Sequence, residues 1–555
     1  MAFKELAEMW IKSWPDSVPY RTRYLDALDR VREGTIYDKL PYPFYMEFEE
    51  TGGNHYIELH NRRPSVKFGI AKIVVDQTAS LTFGQGHSPY VKIYDPFKAI
   101  TSEDGNADDK ATKYLTKLIE FIRHVTVMDA VMFDCIEKGS SGSVCAILKV
   151  TKKGQPWVRV VPGKNIKPRF DLNDPNELLS IEEVYQTDYK SLIDAGYTKV
   201  ELGYKNDTTY IQPNTEFWCN ITLDTEVEQW MKPMLRADFN KLGKEKEGEP
   251  GKIWEWVPDE TRKYSHRWGE VPAVWGRNLH EREAIDGPST YADVVDMSIE
   301  IDYLMSQIGR GFKYSMDPLL AMKAGDVRTT IPVGGSMIPG QADVDRTPAK
   351  IVQVPAGGEA KMLEIAGNGL NAAKDWVKLI REWAMETAGG MKSDQEHSGG
   401  PQSGRALEIL HQALVWLVGR MRLDYGDGMM VPIIKLIIRG VRKDIVKLWG
   451  VTPEQVPEEE YPLKLVWPSW WQPRGADFYQ TAQALLIAAG GTAREGKQLM
   501  PMRAVFEAFA QAMGHPDPAA VADEAESEFE KYRAEQLKIL APSPTGGNTT
   551  GARGA

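Results

Sequence analysis

A phosphate-binding loop needs two glycines spaced by four residues, a lysine for the β and γ phosphates and a hydroxyl for Mg²⁺. It also needs a strand leading in, so that its amides point inward. Gly491-Thr-Ala-Arg-Glu-Gly496-Lys497 meets the first seven positions, but Gln498 stands where the hydroxyl belongs and the preceding LLIAA follows a helical pattern. That stretch reads as a turn between helices, and no cofactor is implied. Asp293, Asp296, Glu300 and Asp302 could serve metal or acid–base chemistry, yet their spacing spreads them around a helix, and a solvated face is expected. His55 and His60 read as polar surface residues, and Pro457-Glu-Glu-Glu as a solvated turn. Trp467, Trp470 and Trp471 lack the basic interleaving of a base-stacking platform, so packing is their expected role. Cys135, Cys145 and Cys219 have no metal-ligand spacing and read as reduced core thiols of a cytoplasmic chain. No nucleophile elbow, HExxH or strand-linked GxGxxG occurs. The expectation is a non-enzymatic protein with no catalytic, cofactor or metal site.

Composition agrees with a globular chain of several domains: 555 residues, 42% apolar and 26% charged. No apolar run is long enough to span a membrane, and the start (MAFKELAEMWIKSWPDS) has no signal-peptide pattern. The formal charge of −11 argues against a protein that grips phosphates along its surface.

The fold class expected is α+β, mainly helical. Val66, Ile70, Ile73, Val74 and Leu81 share one helical face that ends at Gly84-Gln-Gly86, and VKIYD (91 to 95) reads as a strand. A long helix is expected over 110 to 136. Strands then dominate residues 137 to 276: a hairpin around Lys152-Lys-Gly, followed by IEEVYQTDY, YTKVELGY, TEFWCNITL and KIWEWV. Val294, Met297, Ile301, Leu304 and Ile308 mark a helix ended by Asp317-Pro318, after which residues 319 to 362 form short strands broken by Pro and Gly. Residues 370 to 388 form the next helix, with Trp376, Leu379, Ile380 and Trp383 on one face, and it stops at Gly389-Gly390. A loop of about fifteen residues separates it from a helix carrying Leu407, Leu410, Leu414, Leu417 and Met421, a length that is usually functional or disordered. Gly426-Asp-Gly428 breaks the pattern before MMVPIIKLIIRGVRKDIVKLWG, and an extended segment (YPLKLVWPSWWQPRGAD) and a helical region follow.

The order of these parts resembles the portal (head–tail connector) proteins of tailed bacteriophages. IAKIVVDQTASLTFG (70 to 84) is similar to the helix near the start of those proteins. WGEVPAVW followed by Gly287 and Ser289 resembles their lead into the stem. DVVDMSIEIDYLMSQI with KYSMDPLLAMKAG resembles the descending stem helix and first clip strand, and SGRALEIL (403 to 410) is similar to the signature after the tunnel loop.

The resemblance implies a portal fold of wing, stem, clip and crown. Residues 1–289 would be the N-terminal part of the wing, with 137–276 its strand-rich region. Residues 290–316 and 363–388 would be the stem helices, 317–362 the clip and 389–403 the tunnel loop. Residues 404–472 would supply wing helices and the extended segment, 473–540 a helical crown, and 541–555 a disordered tail. Such proteins form rings, typically dodecamers, at one capsid vertex of the virion after assembly in the host cytoplasm. Double-stranded DNA passes through without sequence-specific contacts, driven by the terminase large subunit. Head-completion or tail adaptors and the major capsid and scaffolding proteins are the other implied partners; a membrane is not.

An acidic ring repels DNA and keeps friction low. Gly389, Gly390, Gly399 and Gly400 would hinge the tunnel loop, with Lys392, Ser393 and His397 facing DNA. Asp326, Arg328, Asp343, Asp345 and Arg346 are the clip candidates for terminase or adaptor contact. A closed ring needs two different complementary flanks on each copy, and Trp376, Trp383, Trp416 and Leu417 are the interface candidates. The competing expectations are a nucleotide-driven packaging motor built on residues 491 to 497, and another virion component such as a capsid-lining or tail-adaptor protein.

Overall fold

A computed structural model describes residues 2–49, 55–84, 86–93, 110–204, 211–245, 252–280, 284–316, 319–323, 359–363, 368–389, 412–456, 462–468, 501–512, 521–528 and 531. Helices and antiparallel sheets are both present, so the fold is α+β. The first helices are α1 (Phe3–Ser13), α2 (Tyr20–Glu33) and α3 (Ile70–Phe83). α2 ends on Gly34 in the left-handed region, whose N–H returns to the last carbonyls.

The expected helix over 110 to 136 is two helices, α4 (Lys110–Thr126) and α5 (Met128–Gly139). Val127 between them has φ +50 and is 63% exposed. Thr126 Oγ donates to the Ile122 carbonyl, so it competes for the ladder just before the break. The turn lets α4 and α5 bury Ile119, Ile122, Met132 and Ile136 in the same core. A β-branched residue at positive φ is strained. Val127→Gly is therefore expected to raise stability by about 0.5–1 kcal/mol, read as a higher urea midpoint with an unchanged m-value.

The hairpin read at Lys152-Lys-Gly is formed by β2 (Ser143–Val150) and β3 (Pro156–Pro162). Strand β9 (Ala273–Arg277) lies on the other side of β2, completing a three-stranded antiparallel sheet. β2 is buried on both faces. Val144, Ala146 and Leu148 face the helical core of α4 and α5, and Cys145 and Ile147 face a second sheet. That second sheet runs β8 (Pro258–Ser265), β7 (Val227–Met231), β6 (Glu216–Leu223), β5 (Leu178–Asp188), β4 (Ile166–Phe170), with Met234–Leu235 paired to β6.

Two expected strands are absent here. YTKVELGY folds as turns, with Thr198 and Glu201 forming a reciprocal cap: the Thr198 N–H donates to the Glu201 carboxylate (2.6 Å), and the Glu201 N–H donates to Thr198 Oγ (3.3 Å). This buries Tyr197 and Leu202 against Phe217. KIWEWV holds only an isolated bridge at Ile253, and the regular strand starts at Pro258.

Strand β1 (Tyr90–Ile93) pairs antiparallel with β12 (Leu463–Val466), joining the early and late parts of the chain. Gly426-Asp-Gly428 does not interrupt its helix. α8 (Gln412–Met421) passes through π-helical turns at Arg422–Met430 directly into α9 (Val431–Arg442). A Cβ at Gly426 would sit 2.6 Å from the Trp467 ring and 2.8 Å from Leu465, so the glycine is required by close packing. The burial of Tyr425, Met429 and Met430 offsets its helix-breaking tendency. In the region expected to be a helical crown, Met502–Ala512 and residues 521–528 are helical, and the Arg503 guanidinium meets Asp523 at 2.9 Å.

Candidate functional site

The helices that would place a channel are α6 (Val295–Met316) and α7 (Asn368–Thr387). At the end where α6 leaves and α7 begins, β10 (Leu319–Lys323) pairs antiparallel with β11 (Glu359–Leu363), Leu319 opposite Leu363. The two helices therefore run antiparallel and in contact, and the 35 residues 324–358 lie outside the described ones. Their shared core is Val295, Ile299, Ile301, Ile380, Ala384 and Met385, continuous with α1, α2 and α3.

Asp293, just before α6, and the carboxylates Asp296, Glu300 and Asp302 on it do not all share the solvated face expected of them. Asp293, Asp296 and Glu300 are exposed, and Asp296 caps α1 by accepting the Phe3 N–H at 2.6 Å. Asp302 is buried. It accepts the Tyr37 hydroxyl at 2.8 Å and the Phe68 N–H at 2.6 Å, just before α3. Burial raises its carboxyl above the ordinary value, and the hydrogen bonds from Phe68 and Tyr37 only partly offset that rise. Beside it, the Tyr303 hydroxyl donates to the Arg62 carbonyl (3.2 Å) and Tyr303 meets Tyr37 edge-on. Asp302, Tyr303 and Tyr37 thus dock the 57–69 segment onto α6. The sequence signal for this is weak: only an acidic residue inside an otherwise apolar arc.

The tryptophan face expected of α7 is divided. Of Trp376, Leu379, Ile380 and Trp383, only Ile380 is buried. At 3.6 residues per turn, Ile380, Ala384 and Ala388 occupy one arc, and Trp376, Leu379 and Trp383 the adjacent one. Trp376 is 46% and Trp383 45% exposed, and their rings meet edge-on at 5.8 Å. The apolar surface of α7 is wider than its own partners cover. Gly389 follows the helix with φ +67, and its N–H donates to the Glu386 carbonyl. A Cβ there would make an ordinary contact, 3.4 Å from the Ala413 carbonyl of α8, so it is the positive φ and not the close approach that favours glycine.

Trp416 on α8 is 67% exposed, whereas Leu417 packs partly buried against this chain's own helical core. Gly390, Lys392, Ser393, His397, Gly399 and Gly400 lie outside the described residues, as do Asp326, Arg328, Asp343, Asp345 and Arg346. So do the segment 491–497, Pro457-Glu-Glu-Glu, Trp470 and Trp471.

The remaining chemical candidates are placed by packing. Trp467 meets Phe83 edge-on at 5.3 Å, with the Arg422 guanidinium 4.8 Å from its ring centre. All three cysteines are buried free thiols, and burial raises each, Cys219 to about 12. His60 meets Glu58 at 2.8 Å on the surface. Among the described residues no group of three or more His, Cys, Asp or Glu could hold a metal ion, and no helix is long and apolar enough to cross a membrane. No protein-family model matches the chain, and no curated protein matches it.

Proposed function

We propose that this chain is the subunit of a portal: a ring-shaped channel at one capsid vertex. Genomic DNA would be packaged through it by a terminase and later ejected, and a tail or adaptor would attach to it. The observation that carries the reading is the α6–α7 pair, two long antiparallel helices closed at one end by the β10–β11 ladder. That is the arrangement a stem entering and leaving a clip would have. The exposed Trp376 and Trp383 of α7 and Trp416 of α8 support it, because a ring subunit needs apolar surface its own fold does not cover. The acidic balance of the chain suits a wall that DNA slides past.

In this reading residues 389–403 line the narrow part of the channel and 324–358 form the outer end of the clip. Negative-stain microscopy of the purified full chain is the test, with rings having an axial hole as the expected image. A chain that stays monomeric at all concentrations and salt conditions overturns the proposal. Deleting residues 391–402 is expected to leave rings intact and to abolish DNA packaging or retention; unaffected packaging would refute the channel role.

A further inference from the structure

The largest cleft among the described cavities, about 740 Å³, opens between the outer edge of β9 and the π-helical turns at 422–430. β9 is an end strand of its sheet. The Leu148 N–H bonds to the Pro272 carbonyl and the Asn278 N–H to Gly142, so residues 272, 274, 276 and 278 turn their backbone groups toward β2. The alternate residues turn theirs outward. The Ala273 N–H is taken by the Val271 carbonyl at 2.7 Å. That leaves the Trp275 and Arg277 N–H groups, and the carbonyls of 273, 275 and 277, along the open edge.

Folded proteins cover, bend or charge such an edge, because it is a template for another strand. Here it forms the floor of a cleft. Leu423 is exposed on the facing wall, where Asp424 and Asp427 also lie. The Asp424 carboxylate accepts the His280 N–H at 3.1 Å. Among the described residues Asp427 has no ion pair or side-chain hydrogen bond, and partial burial raises its carboxyl with no cation opposing the shift. The arginines lining the cleft are already engaged, Arg439 by Glu270 at 2.8 Å and Arg277 by the Pro175 carbonyl at 3.0 Å. π-helical turns in a long helix are rare and often mark a functional position. These present two carboxylates to an unpaired strand edge.

We infer that the cleft between β9 and the 422–430 turns receives an extended segment of a partner polypeptide. The segment pairs its main chain with Trp275 and Arg277 and places a lysine or arginine beside Asp427. The main-chain ladder supplies affinity, and the alternate side chains supply selection. The site lies away from the α6–α7 pair and does not depend on the portal reading.

The probe is the synthetic peptide acetyl-Thr-Lys-Val-Lys-Thr-amide, added to the full chain. Amide hydrogen exchange is read residue by residue. At saturation, exchange at the Trp275 and Arg277 amides is expected to slow by about tenfold or more, while the Val274 and Gly276 amides, already paired to β2, are unchanged. The same peptide N-methylated at alternate residues should give no slowing. Equal slowing by the methylated peptide, or none by the parent at millimolar concentration, overturns strand addition. Asp427→Asn should weaken the lysine peptide by about three- to tenfold and leave a glutamine version unaffected; equal affinities would overturn the basic-segment assignment.

Discussion

Asp302→Ala is expected to lower the unfolding free energy by about 2–4 kcal/mol, because the buried Tyr37 hydroxyl and the part-buried Phe68 N–H lose their acceptor together. Asp302→Asn should retain most of that stability. Its carbonyl oxygen can still accept from Phe68, and its amide can donate to the Tyr37 oxygen. The pair of variants separates hydrogen-bond geometry from charge, and pH sharpens the distinction. Burial raises the folded-state carboxyl of Asp302 above its ordinary 3.8, so between those two values the native state holds a proton that the unfolded chain has released. Stability from this group is complete below the ordinary value and is lost as pH rises through the folded one. Urea midpoints measured from about pH 4 to about pH 7 should fall more steeply in the parent than in Asp302→Asn, which keeps only the decline from other carboxyls raised by burial, such as Asp427. An alanine variant as stable as the parent would mean that Asp302 does not dock the 57–69 segment.

That carboxylate also shows where sequence reading stops. The 3-4-3-4 spacing from Val294 to Ile308 predicts α6 correctly, because helical periodicity reports which residues can share a face. It assigns charged residues to water by default, and Asp302 escapes the rule through two donors that arrive from residues 37 and 68. Non-local partners of this kind leave no trace in spacing.

The hairpin at 143–162 is legible from its turn, yet the burial of β2 on both faces depends on a second sheet more distant in the chain. YTKVELGY alternates like a strand, but Thr198 and Glu201 carry the capping-box spacing, and that local signal outranks the alternation. At Gly426 a propensity argument fails, because Trp467 occupies the space that the missing side chain leaves. The face of α7 is legible only in part. Its four apolar residues do lie on one side, but the chain buries only the arc that meets α6 and α3.

The uncovered arc of α7 carries the second large prediction. Trp376→Ser with Trp383→Ser should leave the isolated subunit folded but less stable by about 2–4 kcal/mol, from their edge-on contact and the half of each ring that is already covered. Both rings are near half-exposed, so about half of each is covered within one copy and the rest is left for a partner to cover. If copies associate as proposed, the same rings become buried at each contact. Truncating an interface aromatic of that kind costs about 2 kcal/mol or more, so the pair should weaken each contact by about a thousandfold. A closed ring compounds the loss, since every subunit takes part in two contacts. Mass photometry should therefore show rings in the parent and monomers in the variant at the same concentration, under conditions where the variant subunit is still fully folded by its own unfolding curve. Trp416→Ser distinguishes a general loss of apolar surface from a specific one. That ring is more exposed and stands on α8. If it too must be covered for closure, its single variant weakens assembly; if only the α7 arc is used, the rings persist. Rings that survive removal of both α7 tryptophans would place the subunit contact elsewhere on the chain and leave the exposure of Trp376 and Trp383 without an assembly role.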